Sequence, residues 1–366
     1  MRKVLKNEGA QAFIASILCI LLGVLIGYIV LLFINPAGAG ESILNIIKNF
    51  MTWGRPASRM KQLGNTLAKS MPLILCSLSI LFSYKVGLFN IGTAGQYVAG
   101  ACASLYAALA WGWGWLPCIL FAIIAGALLG VVTGLLKAYC NVNEVISGIM
   151  LNWIALYTTN TILTGVKETA SPYTLYLDKQ NPGALLPTLG LDSLFNGNDK
   201  VTIAVPLTIL LAFAVWIILS KTKLGYELKA TGNNKNAAKY AGMAQNRNII
   251  LTLAISGALA GLAAAFLYLT GYMRWECTQS SVPSMGFNGI AAAFLGGLHP
   301  IGAIFSSFFI QHITDGGQYV NTNFYSSQIS DVISSVIIYL CGFVLFIKLT
   351  MKKMLAKKDD RKGAKQ

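Results

Sequence analysis

From Phe13 to Ile34 the chain runs without one charged residue. That is the ~20 residues an α-helix needs to cross the hydrocarbon core of a bilayer. Comparable uncharged runs recur at 70–84, 87–111, 116–136, 145–164, 201–220 and 249–271. Two shorter ones, Gly286–Leu298 and Ile301–Ile313, are joined by His299-Pro300, and a last apolar stretch covers Ile329–Leu349. In lipid every backbone polar group must pair within the protein, which leaves helices or closed barrels. The runs are continuous rather than alternating, so they read as helices. Charged residues make up 11% of the chain, against roughly 25% in soluble domains. The expected fold is all-α: a polytopic transmembrane helical bundle of about ten spans, one domain over 1–366.

The charges orient it. The net charge is +15, concentrated in short segments that border spans. Lys and Arg favour the cytoplasmic side and anionic lipid, which accounts for the excess without nucleic acid as a partner. Arg2, Lys3 and Lys6 put the N-terminus in the cytoplasm. Lys137, the segment 221–248 and the tail 350–366 lie on the same side, so both termini are expected to be cytoplasmic. Segments 35–69 and 165–200 then fall outside. In the first, Ile43, Leu44, Ile46, Ile47, Phe50 and Met51 recur at helical spacing, as in an amphipathic helix at the interface. Its Lys48, Arg55, Arg59 and Lys61 run against the charge rule. The run from Phe13 exceeds the ~7–15 residues of a signal-peptide core, so it reads as a retained first span.

Within the spans, Gly126, Gly130 and Gly134 repeat every four residues, a face on which another helix can approach closely. The stretch Gly87–Gln96 is polar and glycine-rich, which is tolerated at membrane depth only when buried in protein or lining a wet cavity. The broken pair around His299-Pro300 resembles the discontinuous helices that put helix ends beside a transported solute. Leu88-Phe-Asn-Ile-Gly92 is echoed by Met285-Gly-Phe-Asn-Gly-Ile290, suggesting two weakly related halves.

Chemistry is sparse. The sequence has no G-x-x-x-x-G-K-[ST] phosphate loop, no nucleophile elbow and no H-E-x-x-H. The seven cysteines, Cys19, Cys76, Cys102, Cys118, Cys140, Cys277 and Cys341, show neither C-x-x-C nor metal-ligand spacing and read as packing residues. No cofactor or metal is expected. Proton- or ion-coupled carriers place ionisable groups in the middle of spans, whereas here the span centres are almost free of charge. That favours a pathway for a neutral polar solute, energised by another subunit.

The basic segment Lys221–Arg247 interrupts the apolar runs. Within it Asn236–Tyr240 reads as a short helix, with Asn233 or Asn234 able to cap its start and Gly242 suited to its end. Such a helix either lies on lipid or meets a cytoplasmic partner.

Three motifs carry a resemblance: Gly87-Leu-Phe-Asn-Ile-Gly-x-x-Gly-Gln96, Asn143-Glu-Val-Ile-x-x-Ile-Met-Leu-Asn-Trp153 and Gly225-Tyr-Glu-Leu-x-Ala-x-Gly-x-Asn-x-x-Ala-Ala-x-Tyr-Ala-Gly242. Gly296-Gly-Leu-His-Pro-Ile-Gly-Ala303 is a looser fourth. Together they resemble the permease subunits of ABC importers for simple sugars and nucleosides, in the wider ribose and branched-chain amino acid permease group. The Asn-Glu-Val-Ile and Met-Leu-Asn elements are most similar to the nucleoside-uptake branch. The sequence departs from the family pattern at Thr93-Ala94 and at Gly232-Asn233-Asn234, where relatives often carry an acid.

The resemblance implies a multi-pass permease of the bacterial plasma membrane. It would work with a cytoplasmic ABC ATPase that hydrolyses the ATP, an extracellular solute-binding lipoprotein and a second permease subunit. It also implies that Asn234, Ala237, Ala238, Tyr240 and Gly242 form the helix that couples to the ATPase. For the solute pathway the candidates are Asn90, Gln96, Asn152, Trp153 and Asn288, since amides donate and accept to sugars and bases and an indole stacks on rings. The same groups can instead tie helices together. A permease for sugars such as ribose, or a stand-alone carrier or channel, are the alternative functions.

Overall fold

The computed structural model describes residues 8–321, 323–326 and, further on, 332, 333, 335, 336, 339, 340, 342–344, 346, 347, 349 and 350. The basic N-terminal residues Arg2, Lys3 and Lys6, much of the expected last span and the tail beyond Thr350 lie outside the described residues. Among those described there is no β-strand, only isolated bridges.

The helices are α1 (Glu8–Ile34), α2 (Ala39–Lys48), α3 (Pro56–Lys85), α4 (Thr93–Leu109), α5 (Trp115–Tyr139), α6 (Glu144–Leu163), α7 (Ala204–Lys221), α8 (Lys223–Asn233), α9 (Lys235–Tyr240), α10 (Gln245–Tyr268), α11 (Met285–Leu295) and α12 (Pro300–Gly316), with single turns between some of them. Five of the described helices, including α1, α3, α5, α7 and α10, are long and apolar enough to cross a membrane. Each expected apolar run up to Ile313 coincides with a helix. Two boundaries move: α4 starts at Thr93 rather than Gly87, and α3 starts at Pro56 rather than near Ser70, so the second half of segment 35–69 is the first half of a 30-residue helix. Proline at the first helical position forfeits no hydrogen bond there. Only 39–48 forms the separate amphipathic helix, with Ile43 and Ile46 buried and Leu44 and Ile47 exposed.

The chain divides into two compact units: residues up to Trp53 together with those from Ala291 on, and Gly54–Ile290. These are not two sequential halves, and the two echoed segments take different structures. Asn90 sits in an irregular turn ahead of α4, whereas Asn288 lies inside α11.

Between α1 and α3, burial and hydrophobicity run in opposite directions. The apolar stretch of α1 has a mean hydropathy of 3.2 and is 22% buried, whereas that of α3 has 1.5 and is 89% buried. A water-soluble protein would do the reverse. In lipid there is no hydrophobic drive between helices, so close packing and polar ties select which helices go inside. The α5–α10 contact shows the packing. A Cβ on Gly126 would lie 2.9 Å from Gly261 Cα, one on Gly130 2.8 Å from the Leu253 carbonyl carbon and one on Gly134 2.8 Å from Ile250 Cα. The four-residue glycine repeat therefore faces α10 along one seam.

The unit containing the chain's first helices takes up the broken pair from Ala291 on. α11 ends on Gly297, with φ of 66°, where Leu298 N–H donates to Ala293 O at 2.9 Å. His299 Nδ1 then accepts from Ile301 N–H at 3.3 Å, opening α12. Ser306 Oγ ties α12 back to Ala292 O at 2.6 Å. His312 Nε2 contacts Ile47 O at 2.9 Å, and Asn49 Nδ2 donates to His312 O at 2.8 Å.

Candidate functional site

Two polar constructions stand out in the unit Gly54–Ile290. The first is a buried amide cluster where α3, α4, α6 and α10 meet. Asn90 Nδ2 donates to Gln96 Oε1 at 2.8 Å and to Ser256 Oγ at 2.7 Å. Ser256 Oγ also lies 2.7 Å from Ser79 Oγ and donates to Ser79 O at 2.8 Å. Ser79 Oγ in turn lies 3.3 Å from Thr93 Oγ1. All of these side chains are buried.

Asn152 does a different job from a neighbouring helix. Its Oδ1 accepts from Gly95 N–H at 2.7 Å, and its Nδ2 donates to Ile91 O at 3.1 Å. The first N–H groups of any helix have no partner inside it. α4 begins after Gly92, which has no side chain to cap them. Asn152 supplies that cap from α6 and clamps the turn leading into α4. Glycine at residue 95 leaves room, since a Cβ there would lie 2.8 Å from Asn152 Cα.

Of the five residues expected along a solute pathway, Asn90, Gln96 and Asn152 are thus buried and hydrogen-bonded within the protein. Trp153 is half-exposed and stacks on Tyr157, with ring centroids 6.1 Å apart and planes 23° from parallel. Asn288 is partly exposed in the second turn of α11. Sequence reading missed Ser79 and Ser256, because lone serines in apolar spans carry no motif. It also missed the partnership of Asn152 with Gly95, which depends on two helices meeting.

The second construction is the basic segment after α7. It is two helices rather than one. Thr222 Oγ1 caps α8 by accepting from Gly225 N–H at 3.1 Å, and Asn248 Nδ2 holds α8 to α10 through Thr231 Oγ1 at 2.9 Å. α9 follows after one residue. Asn234, not Asn233, is its cap, accepting from Ala237 N–H at 3.0 Å. It ends at Gly242, with φ of 77°, where Met243 N–H donates to Ala238 O at 2.9 Å and Gly242 N–H to Lys239 O at 3.0 Å. That pair of bonds is the Schellman arrangement, for which glycine's left-handed conformation is suited. A six-residue helix is too short to be stable by itself, so the caps at both ends and its buried footing hold it. The footing is Ala238, 3% exposed, whereas Tyr240 is 93% exposed and Ala237 lies on the same open side. The two alanines therefore serve opposite faces.

Glu144 begins α6 directly after its cap Asn143, whose Oδ1 accepts from Val145 N–H at 2.8 Å. Its carboxylate pairs with Lys137 at 2.7 Å across the α5–α6 turn. This fits a helix-start acid near the positive end of the helix dipole. At the opposite end of α6, Asn160 accepts from the buried Trp275 Nε1 at 2.9 Å. There Arg274 pairs with Glu168 at 3.1 Å and lies over the rings of Tyr176 and Tyr173, at 3.7 and 5.2 Å from their centroids. These contacts join loop 165–200 to the segment after α10. Among the described residues no group of His, Cys, Asp or Glu is arranged to hold a metal ion.

Comparison with known proteins fits this picture. Residues 62–342 match the family model described as branched-chain amino acid transport system / permease component. The nucleoside ABC transporter permease protein NupB of Lactococcus lactis is 31% identical, over 98% of this chain and 99% of its own length. The guanosine ABC transporter permease protein NupP of Bacillus subtilis is 31% identical, over 94% of this chain and 97% of its own. A glucose ABC transporter permease protein of Haloferax volcanii, TsgB13, is 26% identical over 72% of this chain and 70% of its own. No solved structure matches significantly. A family model that covers the amide cluster and α8–α9 alike, with relatives aligned nearly end to end, shows that the chain belongs to the branched-chain amino acid transport system permease-component family and is a multi-pass membrane transport subunit.

Proposed function

We propose that this permease takes up nucleosides across a bacterial plasma membrane, as the membrane-spanning subunit of an ATP-driven importer. The observation that carries the substrate class is the near end-to-end similarity to two permeases named for nucleoside and guanosine transport. A neutral polar solute also suits spans whose centres are nearly uncharged. A cytoplasmic ATPase supplies the energy and docks on α9, whose doubly capped turn presents Ala237 and Tyr240 outward. An extracellular solute-binding protein delivers the solute, and a second permease, identical or paralogous, completes the pathway. About ten spans with both termini in the cytoplasm put α8 and α9 on the ATPase side and loop 165–200 on the other. Of the sequence candidates, Trp153 and Asn288 are assigned to the path, being the two with side-chain surface left to offer a solute. Asn90, Gln96 and Asn152 are assigned to holding the helices around it.

The test is uptake into proteoliposomes containing the chain with its ATPase, second permease and binding protein. Guanosine and ribose are compared, with and without ATP. ATP-dependent guanosine uptake that excess ribose leaves unchanged is expected. Uptake of ribose in preference supports the sugar reading, for which the similarity to a glucose permease speaks. Uptake by the chain alone without nucleotide overturns the importer reading in favour of a carrier or channel.

A further inference from the structure

We infer that Gly232, the penultimate residue of α8, is a positioning residue that transmits movement of α9 to the amide cluster, through direct backbone contact with the turn ending α3. The inference rests on the importer reading above and names the internal contact that reading requires.

The contact is backbone against backbone. A Cβ placed on Gly87 would lie 2.8 Å from Gly232 O and 3.0 Å from Gly232 Cα. A Cβ placed on Gly232 would overlap the Val86 carbonyl oxygen and lie 2.9 Å from Gly87 N. Two main chains touch with no side chain between them. A side chain can absorb a displacement by changing rotamer, whereas a packed backbone cannot without moving its own segment.

Each side of the contact is rigidly connected. On one side, Asn234 caps α9 two residues beyond Gly232, while Thr231 is fixed to Asn248 of α10. On the other, Gly87 has φ of 76° and closes α3 with the same pair of bonds that ends α9: Leu88 N–H donates to Ser83 O at 3.0 Å and Gly87 N–H to Tyr84 O at 3.0 Å. Leu88 is buried against Ile249 and Leu253. Two residues on, Asn90 enters the amide cluster, and Ile91 O is held by Asn152. From the exposed Tyr240 to the amides between α3, α4, α6 and α10 the route consists of capped helix ends and one backbone contact.

The experiment uses the complete transporter in proteoliposomes. Gly232→Ala is expected to leave the ATPase bound and hydrolysing, since the face of α9 is untouched, while solute moved per ATP falls at least tenfold. Gly87→Ala, made from the opposite side, should give the same uncoupling, and Tyr226→Ala on the exposed face of α8 should not. Should the glycine variants fail to assemble, hydrogen exchange in the wild-type transporter decides. The amides of Leu88–Ile91 are then expected to change protection severalfold when ATP binds, and to lose that response in Tyr240→Ala. Unchanged solute per ATP in an assembled Gly232→Ala, or unchanged protection at Leu88–Ile91, overturns the inference while the importer reading stands. An ATPase that does not associate with the wild-type chain overturns both.

Discussion

Replacing Asn152 by alanine separates the two roles open to the buried amides. The side chain, 2% exposed, makes two hydrogen bonds to the turn that starts α4, at 2.7 and 3.1 Å. Removing it withdraws the cap of α4, and loss of a cap costs about 0.5–2 kcal/mol. It also leaves the Gly95 N–H buried without a partner, at about 1–3 kcal/mol. These overlap, because both count the same N–H, so the sum is not additive. The expected loss is about 2–3 kcal/mol, the upper part of the range for one buried donor, because the Ile91 carbonyl loses its bond as well. Measured as unfolding of the purified permease in detergent, the variant should melt several degrees lower. Asn152→Asp keeps an acceptor for Gly95 N–H but sets a buried carboxylate against the Ile91 carbonyl, so it should not restore stability. Transport by the fraction that still folds should retain the wild-type KM. A variant with wild-type stability and a KM raised tenfold or more would refute the capping role and make Asn152 a solute ligand.

Other outcomes follow from neighbouring geometry. Tyr240→Ala removes an exposed aromatic anchor; such groups contribute about 2 kcal/mol or more at interfaces, so ATPase affinity should fall about 30-fold, read by co-purification with no change in melting. Ala237→Arg should block ATPase association while leaving the fold intact, whereas Ala238→Arg drives a charge into the helix footing and should lower melting as well; equal stability of the two would refute the assignment of faces. Gly130→Leu puts a side chain where the Leu253 carbonyl already sits and should prevent stable accumulation in the membrane, seen as loss of a monodisperse peak. Trp275→Phe keeps the buried ring but leaves Asn160 Oδ1 without its donor, and should cost about 1–2 kcal/mol in the same melting assay.

Much of the fold is legible in the residues one at a time. Uncharged runs of spanning length require helices because lipid offers no partner for the backbone. The caps of α6 and α9, Asn143, Asn234 and Gly242, are local, since cap and capped group lie within a few residues. The Gly126–Gly130–Gly134 face is local too, and only its partner α10 was not named by the sequence. The amides were ambiguous for a stated physical reason. Asparagine and glutamine have the same donors and acceptors whether they face a solute or another helix. Which they face depends on what the fold brings opposite them.

Tertiary structure alone decided the rest. It joined the first helices and the chain from Ala291 on into one unit. It turned Ala238 inward and Ala237 outward, a choice that adjacent identical residues cannot reveal. It brought Asn152 to Gly95, and Gly232 to Val86 and Gly87, across separations no local pattern spans. The sequence by itself determined that the chain crosses a membrane as helices, which face of α5 allows close approach and where α9 stops. Each of those follows from neighbours along the chain or from the solvent. Whether a polar side chain binds or braces, and which glycine carries force, is decided by neighbours in space.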